Sequence, residues 1–205
     1  MKRLVMEFLG TFFFILTIIM TNNALAIAAM LMAWVYIGAF ISGGHYNPML
    51  SLAIALRRRL SWDDFPWYMA AQVCGGFAAF LFAGFLHGHV TIPAPGTEAT
   101  MLQAFIVEVL LAFTLALIVL FVATSEKFKG NDIFGFAIGF SIPALAILGG
   151  PISGGLFNPA IALGATLYGL VSGMAVSYQH LIMYLAGAFI GGALAAYAFD
   201  YFTER

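Results

Sequence analysis

The octapeptide Ile41-Ser42-Gly43-Gly44-His45-Tyr46-Asn47-Pro48 returns 111 residues later as Ile152-Ser153-Gly154-Gly155-Leu156-Phe157-Asn158-Pro159, with six of eight residues the same. Each copy ends in a helix-starting signal. Asn is a favoured N-cap, and Pro suits the first helical position because it has no N–H to leave unpaired. Both helices are short. From Pro48, nine residues bring the chain to Arg57-Arg58-Arg59, and from Pro159 about ten bring it to Gly169. At about 1.5 Å per residue the first rises roughly 13–14 Å.

The surrounding sequence sets the solvent for these helices. Of 205 residues, 63% are hydrophobic and 8% charged, whereas soluble domains average about 45–50% apolar and about 25% charged. Six apolar stretches approach the roughly 20 residues that a spanning helix needs. They are Leu4–Asn22, Ala24–Ser42, Phe65–His87, Met101–Thr124, Ile133–Gly150 and Tyr178–Asp200. Leu4–Met20 reads as a span rather than a cleavable signal peptide, since the next span follows after a few polar residues and cleavage would break the repeat. The expectation is an all-α integral membrane protein with six transmembrane helices and two re-entrant half-helices. Each half-helix crosses only half of a roughly 30 Å core.

The repeat extends beyond the octapeptide. Glu7 opens Glu-Phe-Leu-Gly-Thr-Phe and Glu108 opens Glu-Val-Leu-Leu-Ala-Phe; Tyr68 precedes Gly75-Gly76 as Tyr184 precedes Gly191-Gly192. The chain reads as one domain over 1–205, built from repeats of about 1–98 and 99–205. Three spans per half, an odd number, make the second half run inverted to the first. The half-helices then enter from opposite faces and meet N-terminus to N-terminus. Irregular backbone at that depth must be buried in protein or border a water-filled cavity, so Gly43–Tyr46 and Gly154–Phe157 imply a cavity.

Positive residues give the orientation. Lys2, Arg3, Arg57, Arg58, Arg59, Lys127, Lys129 and Arg205 all fall on one side, which the bias of cytoplasmic loops makes the cytoplasmic one. Both termini are then cytoplasmic, and the short loops point to a plasma (inner) membrane. The single cysteine, Cys74, excludes an intrachain disulfide. A net charge of −1 without a basic domain argues against nucleic-acid partners.

At the two Asn-Pro copies the chain resembles the aquaporin, or major intrinsic protein, family, whose signature is a pair of Asn-Pro-Ala loops on half-helices. The second copy, Asn158-Pro159-Ala160, has the full motif and the first reads Asn47-Pro48-Met49. The resemblance implies a homotetramer in the bilayer with one pore per subunit, passing water or small uncharged solutes such as glycerol without enzymatic chemistry, cofactor or metal. In such pores selectivity comes from width, lining groups and electrostatic barriers. Carbonyls of Gly43, Gly44 and His45, and of Ser153, Gly154 and Gly155, would accept hydrogen bonds. The Asn47 and Asn158 amides would donate at the centre, where the two helix N-termini each carry about half a positive charge and repel cations.

The family's outer constriction has four positions, one usually an Arg three residues after the second Asn. Ungapped spacing maps them onto Ile27, Ala146, Gly155 and Ile161. With no Arg, and with two small and two apolar residues, weaker size selection is expected.

Glu7 and Glu108 lie within apolar spans, where an ionisable residue is a functional candidate. A role accepting from re-entrant backbone N–H groups, as in the family, outweighs proton coupling, which would make the protein an ion- or proton-coupled transporter. A non-conducting structural protein is the other rival. His45 is read as loop-packing or pore-lining ahead of a pH gate. His87 and His89 lack a third neighbour for a metal. Trp62 and Trp67 read as interfacial anchors, Gly75-Gly76 and Gly191-Gly192 as close-packing surfaces, and Pro143 as a kink.

Overall fold

A computed structural model describes residues 1–88 and 90–203. It contains α1 (Lys2–Thr21), α2 (Ala24–Ala39), α3 (Pro48–Leu56), α4 (Phe65–His87), α5 (Met101–Val119), α6 (Phe134–Ser153), α7 (Pro159–Val171) and α8 (Tyr178–Thr203). A π-helical turn, Leu120–Thr124, extends α5, and a 3-10 turn covers Glu126–Phe128. Two helices, one half-helix and a further long helix thus occur twice in succession. His89 and Arg205, cited above for metal binding and orientation, lie outside the described residues.

Five helices are long and apolar enough to span a bilayer, and α2 and α7 are shorter apolar helices. Exposed Phe85, Leu102, Leu148 and Ile182 clothe the outside with side chains that lipid accepts more readily than water. This is an integral membrane protein. The second span is a correction: Ala24–Ser42 was expected, but the helix stops at Ala39. There the Gly38 carbonyl accepts from the N–H groups of Ile41, Ser42 and Gly43, which turns the chain back inward. Trp62 and Trp67 are exposed beside the start of α4, as interfacial anchors should be. Pro143 lies within α6 without ending it.

Local chemistry fixes the helix starts. Asn23 accepts from Ala26 N–H at the head of α2, and Thr100 with Gln103 forms a reciprocal capping box on α5. Small residues then bring helices together. A Cβ on Gly75 would lie 2.5 Å from the Phe8 carbonyl of α1, and one on Gly191 would lie 2.4 Å from the Val109 carbonyl of α5. The α1–α4 and α5–α8 pairs therefore pack backbone to backbone.

The short helices cross over. The second half's α7 packs on α4, and the first half's α3 packs on α8. Each half-helix is thus seated against the other half of the chain, which aims both N-termini at the centre.

Candidate functional site

Both loops reach the centre by the same backbone path. Gly43 and Gly44 have φ of 98° and 65°, and Gly154 and Gly155 have 91° and 63°, a left-handed path open to glycine. Tyr46 and Phe157, each just before the Asn, also have positive φ, at 52° and 29°. Side chains offset that strain. The Tyr46 ring fills a slot walled by Gly10 and Gly38, where added Cβ atoms would lie 2.0 and 1.9 Å from its atoms. Its hydroxyl donates to the Trp34 carbonyl at 2.7 Å.

A buried carboxylate fastens each loop. Glu7 accepts from Ser42 Oγ (2.6 Å), His45 N (3.0 Å), Tyr46 N (2.7 Å) and Gln72 Nε2 (2.8 Å). Glu108 accepts from Ser153 Oγ (2.6 Å), Leu156 N (3.1 Å) and Phe157 N (2.6 Å). Charge-assisted bonds of this kind are the strong ones, and both acids are fully buried. Neither lines the cavity described below.

Asn47 and Asn158 cap α3 and α7 through Oδ1, which accepts from Met49 N–H and Ala160 N–H at 2.9 Å each. Their amide nitrogens cross the centre: Asn47 Nδ2 donates to the Phe157 carbonyl and Asn158 Nδ2 to the Tyr46 carbonyl, each at 3.1 Å. Every Asn amide carries two N–H bonds. One on each residue is spoken for by the opposite loop, and the second is left to point elsewhere.

A cavity of about 860 Å³ runs to this pair from the face that carries Arg3, Arg59 and Lys129. One wall is the polar strip Ser42–Asn47, with Asn158 at the end; the other is apolar, including Phe14, Leu31, Val35, Leu115, Ile138 and Ile142. A lining that is part polar and part apolar lets a small molecule keep only some of its hydrogen bonds. The arrangement suits single-file passage of neutral hydrogen-bonding molecules, with two helix N-termini disfavouring cations at the end.

A family profile described as major intrinsic protein matches residues 1–199. The chain belongs to the major intrinsic protein family. Aquaporin NIP1-4 of Oryza sativa subsp. japonica is 30% identical over 98% of this chain and 76% of its own length. Nodulin-26 of Glycine max is 30% identical over 98% and 77%. The X-ray structure of the aquaglyceroporin from Plasmodium falciparum shares the fold, with a TM-score of 0.80 at 20% identity, covering 97% of this chain and 95% of that one.

Within this major intrinsic protein, none of the four positions that spacing assigns to the outer constriction lines the large cavity. Gly155 lies against Ala146, where an added Cβ would meet the Ala146 carbonyl and Cα at 3.1 and 3.2 Å. Ile27 sits one turn into α2 and Ile161 in the first turn of α7, 9% and 8% exposed. Met49 points away from the passage: it is fully buried, with Cγ and Sδ 2.7 and 2.9 Å from where a Gly192 Cβ would stand. Ala160 is buried equivalently, its carbonyl over Gly76.

One expected lining group is corrected. Ser153 is fully buried, and its carbonyl accepts from the Tyr184 hydroxyl at 2.6 Å, so it is a loop anchor rather than a lining carbonyl. Ser42 is treated alike by Tyr68, at 2.8 Å. The repeat then pairs Gly43, Gly44 and His45 with Gly154, Gly155 and Leu156.

Sequence reasoning missed Ser51 and Gln72, which extend the Glu7 network. Gln72 Nε2 donates to Ser51 Oγ at 2.9 Å, and His45 Nδ1 lies 3.1 Å from the same oxygen. The available signal was a Gln inside an otherwise apolar span.

Proposed function

We propose that this protein is a passive channel for water and small uncharged solutes such as glycerol, with one pore per subunit of a homotetramer. The observation that carries the reading is the pair of capping asparagines at the end of a half-polar cavity, each with an amide N–H beyond those used in the protein. Asn47 and Asn158 act as central donors. Gly43, Gly44, His45, Gly154 and Gly155 supply acceptor carbonyls, and Leu156 completes the second set. Ile27, Ala146, Gly155 and Ile161 form the outer constriction. Residues 1–205 make one channel domain of inverted halves.

The positive-inside bias supports a plasma (inner) membrane orientation with both termini cytoplasmic. The large cavity is then the cytoplasmic vestibule, its mouth framed by Arg59 paired with Glu126 and by Arg3 paired with Asp64. Saturation of Glu7 and Glu108 by loop donors weighs against proton coupling through either acid, because a coupling group must exchange with the passage.

The test is stopped-flow light scattering on proteoliposomes. Shrinkage after an impermeant osmotic step several-fold faster than in empty vesicles is expected, followed with glycerol by reswelling. Rates equal to those of empty vesicles would overturn the channel reading.

A further inference from the structure

The hydrogen-bond chain beside the first loop runs in one direction. Glu7 already accepts from Ser42, His45 and Tyr46, so both of its oxygens act as acceptors, and Gln72 must present Nε2 rather than Oε1 to Glu7. That nitrogen's second N–H goes to Ser51 Oγ. Ser51 is fully buried, and its hydroxyl makes no bond back to the preceding helical turn, unlike Thr11, Thr114 and Thr166. Among the described residues the one group within reach that could accept its proton is His45 Nδ1, 3.1 Å away. A proton on Nδ1 instead would leave a buried hydroxyl facing two donors with its own hydrogen unpaired.

We propose that Ser51 and Gln72 are positioning residues that hold His45 as the Nε2–H tautomer, giving the passage a ring N–H donor next to the Asn pair. His45 lines the cavity, and no described residue bonds its Nε2. Gly43 leaves room for the ring, since a Cβ there would lie 2.9 Å from Nε2, and Tyr68 flanks it at 5.3 Å between centroids. The donor selects permeants with an acceptor oxygen, such as water, a polyol hydroxyl or an amide carbonyl. The second half carries Leu156, Ala162 and Ala188 at the matching places, so the relay serves one side only.

This inference rests on the channel reading, and its test separates the two. Protein carrying 15N-histidine is reconstituted in liposomes and studied by solid-state NMR, with His45→Gln identifying the His45 signals. The wild type should show one tautomer, Nε2 protonated and Nδ1 bare. Ser51→Ala should give mixed tautomers and lower water permeability by roughly two- to fivefold, and Ser51→Thr, which keeps the hydroxyl, should restore both. A wild-type Nδ1–H tautomer overturns the proposal. So does an unchanged His45 spectrum in Ser51→Ala, even if permeability falls, because that is a packing effect. Wild-type vesicles no more permeable than empty ones would overturn the channel reading, while the spectra still decide the tautomer.

Discussion

Restoring the consensus residue at Met49 tests whether its side chain belongs to the pore or to the packing. Met49→Ala removes three heavy atoms from a fully buried position against Gly192. A void of roughly 70 Å³ at about 24 cal/mol per Å³ costs about 1.7 kcal/mol. The apolar transfer contribution is smaller in lipid, so packing loss dominates. Gly192→Ala alone sets its Cβ 2.7 Å from Met49 Cγ and 2.9 Å from Sδ, an overpacking of about 1–3 kcal/mol. Independent effects would add to nearly 4 kcal/mol. In the double variant the new Cβ enters the space that Met49 vacated, leaving only its 3.1 Å approach to the residue 49 carbonyl. The double variant should therefore lose less than about 2 kcal/mol, a favourable coupling of about 1.5–2 kcal/mol. Reversible unfolding in mixed detergent micelles measures the cycle, and vesicle shrinkage reports permeability alongside it. Additivity within about 0.5 kcal/mol would refute the packing argument. So would a Met49→Ala variant of unchanged stability but altered solute selectivity, since that is how a pore-lining side chain behaves.

Glu108→Gln keeps the shape but sets an NH2 against donors now shared among Ser153, Leu156 and Phe157. A loss of about 2–4 kcal/mol is expected on the same unfolding assay, with water permeability falling at least about tenfold. Ile161→Arg places a guanidinium in the first turn of α7 beyond the Asn pair. Glycerol reswelling should fall about tenfold, a barrier rise of about 1.4 kcal/mol, and any sodium or proton current across the liposomes should fall with it. A current left intact would show that the outer charge is not what limits cations. Arg57→Ala removes the ion pair with Asp200 and the guanidinium 4.8 Å from the Phe199 ring, which tie the end of α3 to α8. About 1 kcal/mol of stability should be lost, with most of the change abolished at high salt if the ion pair rather than the ring contact carries it.

The repeat makes most of this architecture legible in the sequence. Asn47-Pro48 and Asn158-Pro159 place both half-helix starts, since a capping side chain and a missing N–H are local facts that tertiary packing does not override. Glu7 and Glu108 stood out because a charge in an apolar span demands partners, and the family resemblance supplied the re-entrant N–H groups as those partners. Three things were not legible. The C-terminal end of α2 was extended to Ser42 because hydropathy continues through Phe40 and Ile41, while the Gly38 carbonyl that ends the helix depends on the returning chain. Ser153 was counted with the lining carbonyls because sequence spacing cannot show that Tyr184, 31 residues on, takes its oxygen. The direction of Met49 was equally hidden, since which way a half-helix faces is set by its neighbour, and Gly192 lies in the other half of the chain.

The crossed bonds from Asn47 to the Phe157 carbonyl and from Asn158 to the Tyr46 carbonyl close a small ring of four residues that locks the two loops together beside the passage. Pulling the two loops apart would stretch both bonds together, and each is also tied to a helix cap and, through the loops, to a buried carboxylate. The seam where the two half-helices meet is thus clamped from both sides, a fixed edge against which the passage runs.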